Sequence, residues 1–244
     1  MRPYKTDGGP EREFLGMEFS VARWHVARGG TQLERPPQVE VMRQLVLIAP
    51  QYQGAHALPG QQSEQSTLEK MPGFSKIGGT ASSLRALFQQ MPQAMVHFSG
   101  HGIMRQSNGA PEFAIELEDG ELDLMSWRGF ATASKNNHPF FFFNACEVGE
   151  SKKVANFVEG WAPAVLNAGA SGYIGALWPV NDRVAAEFAA RFYSIFEQQQ
   201  AQQGAVRVAD VLAQTRRELY RETGNPTALA YVLYGDTNLR FVAK

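Results

Sequence analysis

The feature that most constrains the fold of this chain is a set of short, unbroken apolar runs. QLVLIAP (44–50), AMVHFSG (94–100), PFFFFNA (139–145) and SGYIGALWPV (171–180) are strand-sized and do not alternate with polar residues. A strand with one wet face alternates, whereas a strand covered on both faces reads as a continuous apolar run. Segments of helical character lie between these runs. TASSLRALFQQM carries Leu84, Leu87 and Phe88 on one face, behind the candidate N-caps Thr80, Ser82 and Ser83. Further helices are expected over 61–71, ended by Pro72-Gly73, and over LDLMSWRGFA. Another is expected over VANFVEGWAPAVLNAGA, where Pro163 predicts a kink or break. Two amphipathic helices should follow over 182–201 and 205–222. This alternation predicts an α/β fold, a three-layer sandwich with a mainly parallel central sheet and helices on both faces.

Other segments refine the order. PEFAIELEDG (111–120) alternates and ends in Asp-Gly, as a surface strand or hairpin arm does. TALAYVLYGD (227–236) reads as a last strand or helix end, and LRFVA as a final strand. Residues 1–42 are uneven; Phe19, Val21, Trp24 and Val26 hint at a strand or hairpin, and Pro36-Pro37 punctuate the exit. The simplest division is a peripheral N-terminal extension, 1–42, and one domain, 43–244.

The balance of the chain excludes several classes. Across 244 residues the formal net charge is -1, which leaves no electrostatic footprint for nucleic acid or an anionic membrane. No apolar run approaches the ~20 residues that span a bilayer. The start, MRPYKTDGGPEREF, has no apolar core of a secretory signal. A single cysteine makes no internal disulfide, so a reducing, cytoplasmic setting is expected. GQQSEQ after the first run lacks the Gly-x-Gly-x-x-Gly pattern of a dinucleotide site, and no cofactor is expected.

Two stretches carry chemistry. MVHFSGHGIM drops from an apolar run into Gly-His-Gly at His101, and FFFFNACEVGE drops from one into Cys146, the only cysteine. Ligands of an open parallel sheet bind outside the carboxyl ends of its strands. Both residues are therefore expected just past strand ends on the same edge. If their strands are neighbours, about 4.8 Å apart, the two meet. An imidazole beside a thiol can take its proton and produce a nucleophilic thiolate. Gly100 and Gly102 would let the backbone bend sharply around His101. The N–H groups of Gly102 and Cys146 could then face a developing oxyanion.

HFSGHG followed by NACEVGE resembles the caspase-like (clan CD) cysteine peptidases, and within them the CHAT-domain branch. NAGASGYIGALWPVND (167–182), NPTALAYVLYGD (225–236) and LVLIAPQYQGAHALPGQQSE resemble further segments of that branch, so the likeness runs from about residue 43 to the end. The spacing from His101 to Cys146, 45 residues, is near the ~50 of caspases. The resemblance implies a caspase-like fold and a Cys–His dyad with Cys146 as nucleophile and His101 as base. It implies oxyanion donors at the backbone of Gly102 and Cys146. It implies a protein or peptide substrate bound as an extended strand beside Ala176, Leu177 and Trp178. It also implies an endopeptidase of bacterial defence or cell-death pathways, held off until a sensor domain or partner protein signals. No tetratricopeptide array or nucleotide-sensor domain is recognisable, and Asn144 and Glu147 stand around the cysteine where the family more often has small hydroxyl residues.

Alternatives remain at several residues. Asp182 is either a helix-start acid favoured by the helix dipole or a pocket acid that selects Lys or Arg before the cut. A pocket shaped by Trp178 and Leu177 would prefer an apolar residue, whereas Glu147 and Glu150 would add negative potential to the rim. His97, inside its strand, reads as a hydrogen-bonded core residue. His25, His56 and His138 show no spacing that calls for a metal, and none is expected. A lone buried cysteine is by itself usually inert. The competing functions are a catalytically silent CHAT-like interaction module and a different thiol chemistry on a small molecule.

Overall fold

The computed structural model describes residues 14–23, 38–39, 44–90, 94–107, 110–131, 134–147 and 156–242. The strands are β1 (Ala22–Arg23), β2 (Gln38–Val39), β3 (Leu45–Ile48), β4 (Phe74–Ile77), β5 (Met95–Ser107), β6 (Ala110–Leu117), β7 (Gly120–Asp123), β8 (Phe140–Glu147), β9 (Gly172–Ala176), β10 (Ala205–Arg207), β11 (Tyr231–Gly235) and β12 (Arg240–Val242). The helices are α1 (Leu15–Glu18), α2 (Pro59–Leu68), α3 (Ala81–Gln89), α4 (Leu124–Phe130), α5 (Ser134–Asn137), α6 (Asn156–Asn167), α7 (Asp182–Gln203) and α8 (Val208–Thr223).

The main sheet runs β1-β11-β9-β8-β5-β3-β4. From β4 to β9 every pair is parallel; β11 returns antiparallel to β9, and β1 pairs with β11 at the edge. The far half of β5 leaves this path to pair antiparallel with β6, which forms a hairpin with β7 across Glu118-Asp119. A small sheet of β10, β12 and β2 stands apart.

The phenylalanine wall shows why the apolar runs do not alternate. Phe140 and Phe142 pack with Phe188, Phe192 and Leu212, under α7 and α8. Phe141 and Phe143 pack with Phe88, Trp127 and Trp161, under α3, α4 and α6. Each face of β8 has its own core, so both sets of side chains must be apolar. The three-layer α/β expectation holds.

Several local expectations need correction. β5 does not end before His101. It continues to Ser107 because β6 takes over as partner from Gly102–Ile115 onward. β8 likewise continues through Cys146 to Glu147. Neither Gly100 nor Gly102 adopts a left-handed φ, so no sharp bend is made there. Gly100 is needed for space instead: a Cβ would lie 2.5 Å from the Tyr52 hydroxyl oxygen and 2.6 Å from Phe98 Cζ. The 171–180 run is strand only to Ala176. Helix α6 is not broken at Pro163, because Trp161, Ala162, Ala164, Val165 and Leu166 are all buried and tertiary packing outweighs the missing N–H bond. α7 is capped by Asn181, whose side chain accepts from the Arg183 and Val184 amides, and Asp182 is its first residue. Trp24, His25 and Val26 lie outside the described residues.

Candidate active site

The backbone register brings the two expected residues together. His101 on β5 and Cys146 on β8 are direct partners in a parallel ladder. Partners in adjacent strands lie about 4.8 Å apart on the same face of the pleat. The ladder between β8 and β9 stops at Phe143–Gly175, whereas that between β8 and β5 continues to Glu147. On its other side β9 stays paired with β11 to Ala176–Tyr231, and the Leu177 amide bonds the Ala230 carbonyl. Among the described residues, the Asn144–Glu147 edge therefore has no ladder partner on the β9 side.

His101 is only 4% exposed. Its Nε2 lies 2.7 Å from the His56 carbonyl oxygen. A carbonyl only accepts, so this nitrogen carries the proton and Nδ1 keeps a lone pair. Nδ1 is buried and has no hydrogen-bond partner among the described residues. Tyr52 holds the same residue from another side. Its ring lies 4.4 Å from the imidazole, centroid to centroid. Its hydroxyl accepts from the His101 amide at 3.1 Å and donates to the Glu116 carbonyl at 2.8 Å. Pairing of β3 with β5 ends at Phe98, and pairing of β6 with β5 begins at Gly102. One phenol bridges the gap between the two ladders.

Beneath the pair lies a buried polar network. Glu64 of α2 accepts from His97 Nε2 at 2.7 Å, from the Ser99 hydroxyl at 2.5 Å and from Asn144 Nδ2 at 2.5 Å. The Tyr193 hydroxyl donates to His97 Nδ1 at 2.9 Å, and the Tyr231 hydroxyl donates to Asn144 Oδ1 at 2.5 Å. His97, Ser99 and His101 alternate along β5, opposite Phe142, Asn144 and Cys146 on β8. The same stripe thus passes from core to network to candidate dyad. His97 is the hydrogen-bonded core residue that its position suggests.

The expected pocket residues are spread around this point. Ala176 is buried and pairs with Tyr231; Leu177 is half-buried; Trp178 is 37% exposed. Glu147 is the ladder partner of Gly102. Asp182 sits in a groove with Pro59, Gly60, Ser63 and Ala186, and its Oδ2 accepts from the Gly60 amide at 2.5 Å. It thereby ties the start of α7 to the start of α2. Burial pushes its carboxyl above the usual range, the Gly60 bond pulls it down, Glu64 pushes it up and His101 pulls it down.

Sequence reasoning overlooked Tyr52, Glu64 and a polar triad. His56, His101 and Glu116 offer ligand atoms that all lie within 4.8 Å of one another, the one such cluster of three among the described residues. Sequence spacing pointed to no metal set because these residues come from the loop before α2, from β5 and from β6. Glu64 gave one usable signal, an acid inside a helix that packs on the sheet. Tyr52 gave none.

Comparisons with known proteins bear on the family and the fold. A family model described as the CHAT domain matches residues 3–232. The fold is similar to that of the Arg-specific cysteine proteinase gingipain R from Porphyromonas gingivalis, at 12% identity and a TM-score of 0.53, over 84% of this chain and 47% of that one. The Saccharomyces cerevisiae separase in its securin complex aligns at 16% identity and 0.50, over 86% of this chain and 13% of that one. The Drosophila initiator caspase Dronc aligns at 10% and 0.50, over 98% and 95%. The chain spans about half the length of the gingipain chains it matches. No curated protein matches it in sequence. These structural neighbours share the caspase-like fold. Among the described residues, no helix is long and apolar enough to cross a membrane.

Proposed function

The chain belongs to the CHAT domain family, and from that premise we propose that it is a cysteine endopeptidase working through Cys146 and His101. The observation that carries this reading is the ladder partnership of the two residues, with His101 Nδ1 buried and without a hydrogen-bond partner among the described residues. The His56 carbonyl holds the proton on Nε2, so Nδ1 is the atom that takes the thiol proton. The thiolate attacks a peptide carbonyl, and the N–H groups of Gly102 and Cys146 would stabilise the oxyanion on leaving the ladder between β5 and β8. His101 returns the proton to the leaving amine, and water releases the acyl-enzyme.

The substrate lies extended along the open edge at the end of β8, beside the segment Ala176–Trp178. The residue before the cut is either basic, drawn by Asp182 and Glu147, or apolar, held by Trp178 and Leu177. The similar proteinase named as Arg-specific favours a basic residue. The Asp182 bond to Gly60 favours an apolar one, because it engages the carboxylate within the protein. The family resemblance supports control by a sensor domain or partner protein, in a cytoplasmic bacterial defence or cell-death pathway.

The test is a cleavage profile on a diverse peptide library, wild type beside Cys146→Ala, with and without candidate activators. Cuts that vanish in the variant support the reading. Cuts that persist in Cys146→Ala overturn it, as does full turnover in His101→Ala for the role of the base. No cuts under any condition, with Cys146 unreactive toward thiol probes, would favour the silent interaction module.

A further inference from the structure

We infer that His56, His101 and Glu116 form a Zn²⁺ site whose occupancy switches the proposed dyad off. The donor set is two imidazoles and one carboxylate, and their ligand atoms already lie within 4.8 Å of one another. His56 Nδ1 is 3.9 Å from Glu116 Oε2. Ligands of a tetrahedral Zn²⁺ at its usual bond lengths sit about 3.3 Å apart, so shifts of about an ångström close the site. The side chains can make them: 56% of the His56 side chain and 29% of that of Glu116 are exposed, and His101 forms the buried floor. The exposed half also gives the ion a path in. Two imidazoles argue against Mg²⁺ and Ca²⁺, which prefer oxygen, and for Zn²⁺. The fourth position is left to water.

Coordination disables His101 through either ring nitrogen. A metal on Nδ1 occupies the lone pair that would accept the thiol proton. A metal on Nε2 displaces the proton held against the His56 carbonyl, and neutral imidazole then carries its proton on Nδ1. Both outcomes remove the base without touching the fold. The switching rests on the peptidase reading; the binding does not.

Two experiments separate these. First, Zn²⁺ is titrated calorimetrically into the Cys146→Ala chain, which has no thiol to compete, and Co²⁺ absorption reports tetrahedral geometry. One ion per chain is expected, with affinity at least about tenfold weaker when His56→Ala or Glu116→Gln is added. No saturable binding, or equal binding in both added variants, overturns the site. Glu116→Gln keeps the shape of the side chain, so circular dichroism should be unchanged. Second, peptidase activity is titrated with Zn²⁺, each variant normalised to its own metal-free rate. Inhibition should reverse with chelator and need at least about tenfold more Zn²⁺ in Glu116→Gln. Equal inhibition of wild type and Glu116→Gln would place the inhibitory ion elsewhere and overturn the switch. If no peptidase activity is found, the calorimetry still decides the site.

Discussion

Replacing Tyr52 by phenylalanine tests whether one hydroxyl braces the strand that carries His101. The change removes a single oxygen and keeps the ring that lies 4.4 Å from the imidazole. Two backbone groups lose their partner: the His101 amide and the Glu116 carbonyl. The amide belongs to a residue only 4% exposed, so water replaces the phenol poorly. Leaving a buried donor unmade costs about 1–3 kcal/mol; the carbonyl, at a half-exposed residue, adds little because water reaches it. The expected loss is about 2 kcal/mol, read at 25 °C as a lower urea midpoint with an unchanged slope. Gly100 supplies an internal check. Gly100→Ala places a Cβ 2.5 Å from the Tyr52 oxygen and 2.6 Å from Phe98 Cζ, an overpacking of about 1–3 kcal/mol. With Tyr52→Phe in place the nearer obstacle is gone and only Phe98 must yield. The double variant should therefore be about 1 kcal/mol more stable than the sum of the singles predicts. A Tyr52→Phe loss below about 0.3 kcal/mol, or strict additivity with Gly100→Ala, would refute the brace.

Three other changes probe neighbouring parts of the structure. Glu64→Ala strips the acceptor from His97, Ser99 and Asn144 at once and should cost about 3–5 kcal/mol in denaturant unfolding; a loss below about 1 kcal/mol would mean that the network is not jointly held. Asp182→Asn keeps an oxygen for the Gly60 amide but removes the charge, whereas Asp182→Ala removes both. If Asp182 only ties α2 to α7, Asn should cleave like wild type and only Ala should lose stability, by about 1 kcal/mol; lost preference for basic residues in Asn, seen in the peptide profile, would assign it to the pocket instead. Tyr173 is fully buried, and among the described residues its hydroxyl has no hydrogen-bond partner. Burial holds that phenol well above its ordinary 10.0, so above pH 10 the unfolded chain releases a proton that the folded chain keeps. Stability must then fall as pH rises, by up to about 1.4 kcal/mol per pH unit from this group. Tyr173→Phe should match or exceed wild-type stability at pH 7, by up to about 1 kcal/mol, and flatten the alkaline decline; unfolding midpoints from pH 7 to 11 decide it.

The sandwich and the backbone pairing of His101 with Cys146 were legible because they depend on periodicity and chain order. Unbroken apolar runs mean strands with two covered faces, and two residues at the same depth of neighbouring parallel strands become partners. The ends of the strands were not legible. β5 continues beyond His101 only because a distant segment, Ala110–Leu117, folds back onto it. β9 ends at Ala176 where its antiparallel partner β11 begins, at Tyr231, 55 residues further on. Such boundaries are set by non-local pairing, on which local composition is silent.

The change of character from FFFF to NAC nevertheless contains more than a strand end. Through Phe143, β8 has a partner on each side and a helical layer on each face, and every residue is apolar. At Asn144 the β9 ladder is gone, and the side chain becomes an amide bonded to Glu64, Tyr231 and the Ala185 carbonyl. Two residues later stands Cys146. An apolar residue at 144 would remove one hydrogen bond from Glu64 and one from Tyr231, leaving Glu64 to His97 and Ser99, beside the one stretch of β8 whose edge is open among the described residues. Asn144 thus takes over, by side-chain bonds, the anchoring that the missing ladder no longer provides. That accounts physically for an amide where the family more often carries a small hydroxyl residue: a substrate strand would need an open edge, and the strand bearing the proposed nucleophile needs a fixed position beside it.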